Sequence, residues 1–352
     1  MMVGMVDWSL TRRIATTVAG QPPPARPRPE LPEVVAESER LVAAYAELHP
    51  PAPLPPPELL ARHQWIDANL RTMPTLLEPL MAKVGEGAGA LAPAIRVGAG
   101  TVLSAEVGVL LGYVSRRVLG QYDVVILDPD APARLLFVGP NLDDAARQLA
   151  ADPDELLRWV ALHEVTHAVQ FAAVPWLREH LAGLIHELVD SLDVAFDPAR
   201  LLRLPSGDDV RAWIDALTGD GDLLSLVTTA QQRQTIDRMQ ATMAVVEGHA
   251  EHVMDAVGVE VIPSLDRLRE AMERRRAAPS APARLLQRLL GFDVKLRQYK
   301  LGKRFCDEVV ALDGLAALNR VWTDPGMIPT LDELENPRSW LNRTRVPSVT
   351  KS

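Results

Sequence analysis

The chain has 352 residues, 47% of them hydrophobic and 24% charged, and a net charge of −9. This composition excludes a disordered chain, and the length allows one large domain or two average ones with enough core to fold without disulfides. The acidic balance argues against a nucleic-acid partner, which needs clustered Lys and Arg, while the single cysteine, Cys306, excludes an internal disulfide framework and points to a cytoplasmic setting.

Met1 to Arg13 carries Asp7 and two arginines around a very short apolar stretch, which does not read as a signal peptide. Six of the twelve residues from Gln21 to Pro32 are proline, and six of the eight from Pro50 to Pro57. Proline removes a backbone donor and pushes the preceding residue out of the helical region, so both runs read as extended connectors rather than ligands for a proline-binding domain. Between them, Glu33 to Leu48 has apolar residues at helical spacing. His49 and His63 flank the second run and are expected in solvent.

Leu59 to Lys83 and roughly Thr101 to Leu119 read as helices. The stretch Val97 to Ser115 is apolar but split by Glu106 and by several glycines, so it does not read as a membrane span. Gly98 and Gly100 match the start of a dinucleotide fingerprint, but Leu103 holds the third glycine position and no repeated βα pattern surrounds it. A flexible lead into the next helix is the better reading. Tyr122 to Leu127 and Arg134 to Val138 are rich in β-formers and joined by a turn-rich Asp128 to Ala133, which predicts two paired strands.

Helices are then expected at Leu142 to Leu149, Pro153 to Phe171, Trp176 to Leu192, Ala230 to Val257, Leu265 to Arg276, Leu285 to Leu290 and Val294 to Val321. The second of these carries the most informative segment, Leu162-His163-Glu164-Val165-Thr166-His167-Ala168-Val169-Gln170. It contains H-E-x-x-H. On a helix, positions four apart share a face, so His163 and His167 can aim two imidazole nitrogens at one ion. Glu164 beside the first ligand can take a proton from the water that such an ion activates. Random placement of 8 histidines at this glutamate content would yield about 0.01 matches.

The local context supports a real helix. Asp152 stands as an N-cap, Pro153 occupies the first helical position, and Glu155 lies three residues after the cap. Apolar residues on both sides of the motif predict burial, where unpaired histidines and a glutamate would be costly without a purpose.

A catalytic zinc usually takes three protein ligands and keeps one open position. Gln170 and Ala173 stand where a metzincin would have glycine and a third histidine, so that branch is excluded. The later segment Glu247-Gly248-His249-Ala250-Glu251-His252 is rich in candidates. Glu247 and Glu251 share a helix face, with Asp255 continuing it, whereas His249 lies well round the axis. Glu247 is the favoured third ligand, and Glu251, one turn along, is placed to accept the N–H of a ligand histidine. His252, alone or with His249, is the competing choice.

The segment His163 to Val169 resembles the zinc helix of thermolysin-like gluzincins, and Glu247-Gly248-x-Ala250 is similar to the glutamate helix of that clan. The resemblance implies zinc at His163, His167 and Glu247, with Glu164 as general base. The two motifs are about eighty residues apart, a much longer interval than in thermolysin-like enzymes, so the intervening chain does not follow that fold. Over nearly its whole length, through Asp7-Trp8, Leu119-Gly-Gln-Tyr-Asp123, both zinc motifs and Lys295 to Gly302, the chain resembles an actinobacterial family of candidate zinc-dependent metalloproteases. Members of that family are often associated with deazaflavin-coenzyme biosynthesis.

These readings give a mainly α (α+β) fold, a multi-helix zincin-like domain with a small β element before the active-site helix. Residues 1–57 form a proline-rich arm with one helix packed on a zinc metallohydrolase domain at 58–352. The expected reaction is zinc-assisted hydrolysis of an amide in a peptide or small metabolite. A zinc-stabilised scaffold without turnover is the alternative, and a fourth coordination position filled by His252 or Cys306 would favour it. His180 and the incomplete motif at His186-Glu187 read as surface features, and Gln121, Tyr122, Arg297 and Tyr299 are candidate substrate-side groups.

Overall fold

The structure, a computed structural model, describes residues 6–22, 24–86, 92–191, 229–277 and 292–345. Side chains at 76–86, 92–99, 102, 276–277 and 292–300 lie outside that description, and so does the helix expected at Leu285 to Leu290.

Asp7 opens the fold. Its carboxylate accepts from the amides of Ser9 and Leu10, capping a helix α1 (Trp8–Ala19) additional to the one helix expected in residues 1–57. The described residues of the first proline run before Pro29 form neither helix nor strand, and the run ends inside α2 (Leu31–Ala46), with a proline in its first turn. The second run is likewise free of helix, but its last residue begins a strand, β1 (Pro57–Leu60). Four residues after so many prolines carry no periodic signal, and this strand was not foreseen.

Helices α3 (Arg62–Glu86) and α4 (Ala92–Ser115) follow. Because α4 is continuous through Gly98 and Gly100, there is neither a strand nor a phosphate-binding turn at that point, and the helix begins earlier than Thr101. No described helix is long and apolar enough to cross a membrane.

Next come β2 (Gly120–Asp123) and β3 (Arg134–Val138). They pair antiparallel, with Gln121 opposite Leu136. The pairing is as expected, but β2 begins and ends earlier than Tyr122 to Leu127. The β-formers after Asp123 instead form a loop, whose carbonyls at Val125 and Pro129 accept from the Arg178 guanidinium. The sheet order is β1-β3-β2, with β1 parallel to β3.

The central strand explains its own composition. Leu135 and Phe137 enter a core shared with α2 and with the later helices, whereas Leu136 and Val138 enter a second core with α1, α3 and α4. All four are fully buried. A strand covered on both faces reads as a continuous apolar run rather than an alternating one.

After β3 the chain is helical: α5 (Gly139–Leu149), α6 (Pro153–Ala173), α7 (Pro175–Ser191), α8 (Ala230–Val261), α9 (Leu265–Ala277) and α10 (Phe292–Asp313). The helix expected to run from Val294 to Val321 stops at Asp313. Gly314 takes φ 80°, a left-handed conformation that breaks the helix, and a short α11 (Leu315–Leu318) with two 3₁₀ turns continues. Two small helices, α12 (Leu331–Glu335) and α13 (Pro337–Arg343), close the described chain. The fold is thus mainly α with one small sheet, an α+β arrangement in which α6 lies between the sheet and α8.

Candidate metal centre

Helix α6 starts as its sequence specifies. Asp152 accepts from the amides of Asp154 and Glu155, and Pro153 opens the helix. Glu155 does not complete a capping box; its carboxylate instead binds the amide and hydroxyl of Ser264, tying the start of α6 to the turn before α9. Leu157, Ala161, Leu162, Val165, Ala168 and Val169 are fully buried, so α6 is enclosed on nearly every side. The polar residues within it need internal partners.

His163 and His167 stand one turn apart, with ring centroids 4.7 Å from each other. Helix α8 brings Glu247 to them: its Oε2 lies 3.5 Å from His167 Nε2 and 3.9 Å from His163 Nε2. One ligand-capable atom from each of the three falls within 4.8 Å of the others. Three ligands about 2.1 Å from a tetrahedral ion would be about 3.4 Å apart, so the donor set and its spacing fit zinc. Among the described residues these three form the one such group of His, Cys, Asp and Glu.

The approach of α8 depends on a backbone crossing. A Cβ on Gly248 would lie 2.1 Å from the carbonyl carbon of Gly302 on α10, and one on Gly302 would lie 1.9 Å from the Ala244 carbonyl oxygen. Only glycine at both positions permits this crossing, which holds in place the turn that carries Glu247.

Glu164 is buried against β2. Its Oε2 accepts from the amide of Tyr122 at 2.8 Å, and a Cβ on Gly120 would come within 2.6 Å of its Cγ. Burial pushes the Glu164 carboxyl up to about 7, with Glu247 adding to the rise, and His167 and the Tyr122 amide opposing it. His167 moves the other way from what burial would cause. Desolvation works against its charge, but the Glu247 carboxylate, helped by Glu164 and Gln170, outweighs it and lifts His167 to about 9.

The other expected residues are sorted differently. Glu251 is half-buried one turn beyond Glu247, but the group on Nδ1 of His167 is Gln170 Oε1 at 2.9 Å, and the atom facing Nδ1 of His163 is Met254 Sδ at 3.3 Å. His252 is not brought to the cluster. Its Nε2 meets the Tyr45 hydroxyl at 2.9 Å and its Nδ1 meets Asp307 at 2.7 Å, so both ring nitrogens are engaged between α2 and α10. His249 is fully buried, with Nδ1 on Gln170, and burial together with His252 and His167 lowers it to about 3. Cys306 is buried in the core around Phe305 and Trp340, where desolvation pushes its thiol up.

Gln121 points away from Glu164, bonded to Trp65 and Asn69. Tyr122 contributes its backbone amide, and its ring packs against Phe171. The side chains of Arg297 and Tyr299 lie outside the described residues. His49, His63 and His186 are exposed as expected, whereas His180 is half-buried against Thr242 and Trp176. The sequence reading missed the packing of Gly120 against Glu164 and the contact of Gln170 with His167. The one available signal was a glutamine one turn beyond a candidate ligand, in the apolar stretch Ala168 to Ala173 that follows the motif.

A solved structure from Chloroflexus aurantiacus, described as that of a candidate hydrolase with a novel fold, is similar to this chain. It shares 29% identity over 96% of this chain and 98% of that one, with a TM-score of 0.73. No protein of curated function matches the chain. Residues 6–341 match the zincin-like metallopeptidase family, and the chain therefore belongs to that family.

Proposed function

We propose that the protein is a zinc-dependent hydrolase that cleaves an amide bond of a peptide or peptide-like substrate, with His163, His167 and Glu247 as ligands and Glu164 as general base. The observation that carries this reading is the meeting of Glu247 with both histidines beside a buried carboxylate held against an edge strand. A zinc ion held by the three side chains supplies Lewis acidity towards a scissile carbonyl and its attacking water.

Glu164 receives the proton of that water and returns it to the leaving amine, a role suited to a group near 7. The Tyr122 amide orients the carboxylate, and Gly120 leaves room for it. In an antiparallel pair, alternate residues turn their backbone groups away from the partner strand. Glu164 takes the Tyr122 amide on the side of β2 away from β3, so this edge of the sheet adjoins the proposed base. The scaffold reading loses support because neither His252 nor Cys306 stands at the cluster.

The test compares metal content and cleavage of an internally quenched peptide library. Glu164→Gln should hold zinc as wild type does and lose activity by at least about a hundredfold, while His163→Ala and Glu247→Ala should lose the zinc. Full turnover by Glu164→Gln, or stoichiometric zinc in both alanine variants, would refute the assignment.

A further inference from the structure

Between the two ligand-bearing helices lies a buried chain of hydrogen bonds that assigns a job to two residues outside the ligand set. Gln170 and His249 are both fully buried. The Gln170 side chain meets three groups at 2.9 Å: Nδ1 of His167 through Oε1, and both the carbonyl of Val246 and Nδ1 of His249 through Nε2.

Each proton in this chain is determined by the one before it. A backbone carbonyl only accepts, so the Gln170 atom on Val246 must be the amide nitrogen, and the side chain cannot be flipped. That nitrogen also donates to His249, so His249 Nδ1 has no proton, and the ring is neutral with its proton on Nε2. Nε2 has no hydrogen-bond partner, and the ring stands perpendicular to Trp322. The remaining Gln170 atom is the carbonyl oxygen, which accepts a proton from Nδ1 of His167. Once the ring is neutral, as metal ligation requires, the lone pair of His167 is on Nε2, the atom nearest Glu247.

We propose that Gln170 is the positioning residue that sets the tautomer of His167 and holds it in register with Glu247, and that His249 locks Gln170 in that orientation rather than serving as a ligand. This inference rests on the metal reading above. Val246 immediately precedes Glu247, so one amide side chain bridges a ligand on α6 and the backbone beside a ligand on α8. The ring N–H opposite the ligand atom is commonly anchored in this way in metal sites.

The experiment uses the full chain labelled with ¹⁵N-histidine. Long-range ¹H–¹⁵N spectra at pH 7 of the zinc-loaded wild type should show His249 protonated at Nε2 alone and His167 protonated at Nδ1. In Gln170→Glu the amide donor is gone, and two carboxylate oxygens face His167, His249 and the Val246 carbonyl. A proton should therefore appear on His249 Nδ1, a change that a merely space-filling residue would not cause. Gln170→Leu should bind zinc ten- to a hundredfold more weakly in chelator competition. Wild-type spectra with His249 protonated at Nδ1 would overturn the inference even if the variants fail to fold. Zinc affinity of Gln170→Leu equal to that of wild type would overturn it while leaving the metal reading intact, whereas no zinc binding by wild type would remove that reading itself.

Discussion

His167 and Glu164 show opposite outcomes of the same burial. Both are enclosed, yet His167 is lifted to about 9 because Glu247 stands 3.5 Å away, while Glu164 is lifted to about 7 chiefly because water is excluded. A proton on His167 competes directly with a metal ion. Below about 9 that proton must leave when zinc binds, so affinity should rise about tenfold per pH unit between 7 and 9 and level off above. Calorimetry of zinc added to chelator-stripped protein at pH 8, in buffers of different ionisation enthalpy, should report about one proton released per zinc. Zero protons released would contradict the His167–Glu247 pairing. Gly120 makes the second prediction at this scale. A methyl group there would meet Glu164 Cγ at 2.6 Å, so Gly120→Ala should retain zinc yet lose at least about tenfold in peptide cleavage, because the base is displaced from its amide anchor. Unchanged kcat/KM would show that Glu164 has room to adjust. Among single residues, the candidate ligands and the proposed base could be named from the sequence, since H-E-x-x-H states both chemistry and spacing. Gly120 could not, because its importance lies in what is packed against it from another element.

At the level of elements, α6 and the pairing of β2 with β3 were legible in the sequence, whereas β1 and the Asp7-capped α1 were not. Asp152-Pro153 announced α6, and the structure begins it there. In contrast, β1 has no pattern of its own and exists because the edge of β3 pairs with it. The loop after Asp123 has β-forming residues but no strand beside it. The crossing of α8 and α10 at Gly248 and Gly302 is of this second kind. Gly248→Ala cannot be absorbed by a side-chain shift, as the clash is with backbone. It should destabilise the protein by about 3 kcal/mol or more and, by moving Glu247, weaken zinc binding. Denaturant unfolding of the variant together with chelator competition would check both, and a stability within about 0.5 kcal/mol of wild type would mean that the helices are free to separate.

For the whole molecule, a metal held by the proposed ligands on α6 and α8 would join parts of the chain about eighty residues apart. A ligand that binds only the folded state stabilises it by about 4 kcal/mol at a thousand times its Kd. Removing zinc with a chelator should therefore lower Tm by roughly 5–10 °C, and His163→Ala should show no such response. Identical melting with and without chelator would argue that the two helices are held by packing alone. The sequence by itself determined the helical character, the absence of a disulfide framework and the chemistry of the candidate ligands, because residue type, capping and helical phase are local properties. Helical phase places Glu247 and Glu251 on one face and His249 on another, but it does not say how far one helix axis lies from the next. Only the tertiary structure decided that Glu247 reaches the histidines, that His252 is engaged elsewhere by Tyr45 and Asp307, and that Gln170 takes the place expected of Glu251 at His167. The first two outcomes depend on contacts between segments distant in the chain, and the third, though within α6, on the bonds from Gln170 to Val246 and His249 of α8, none of which a local pattern encodes.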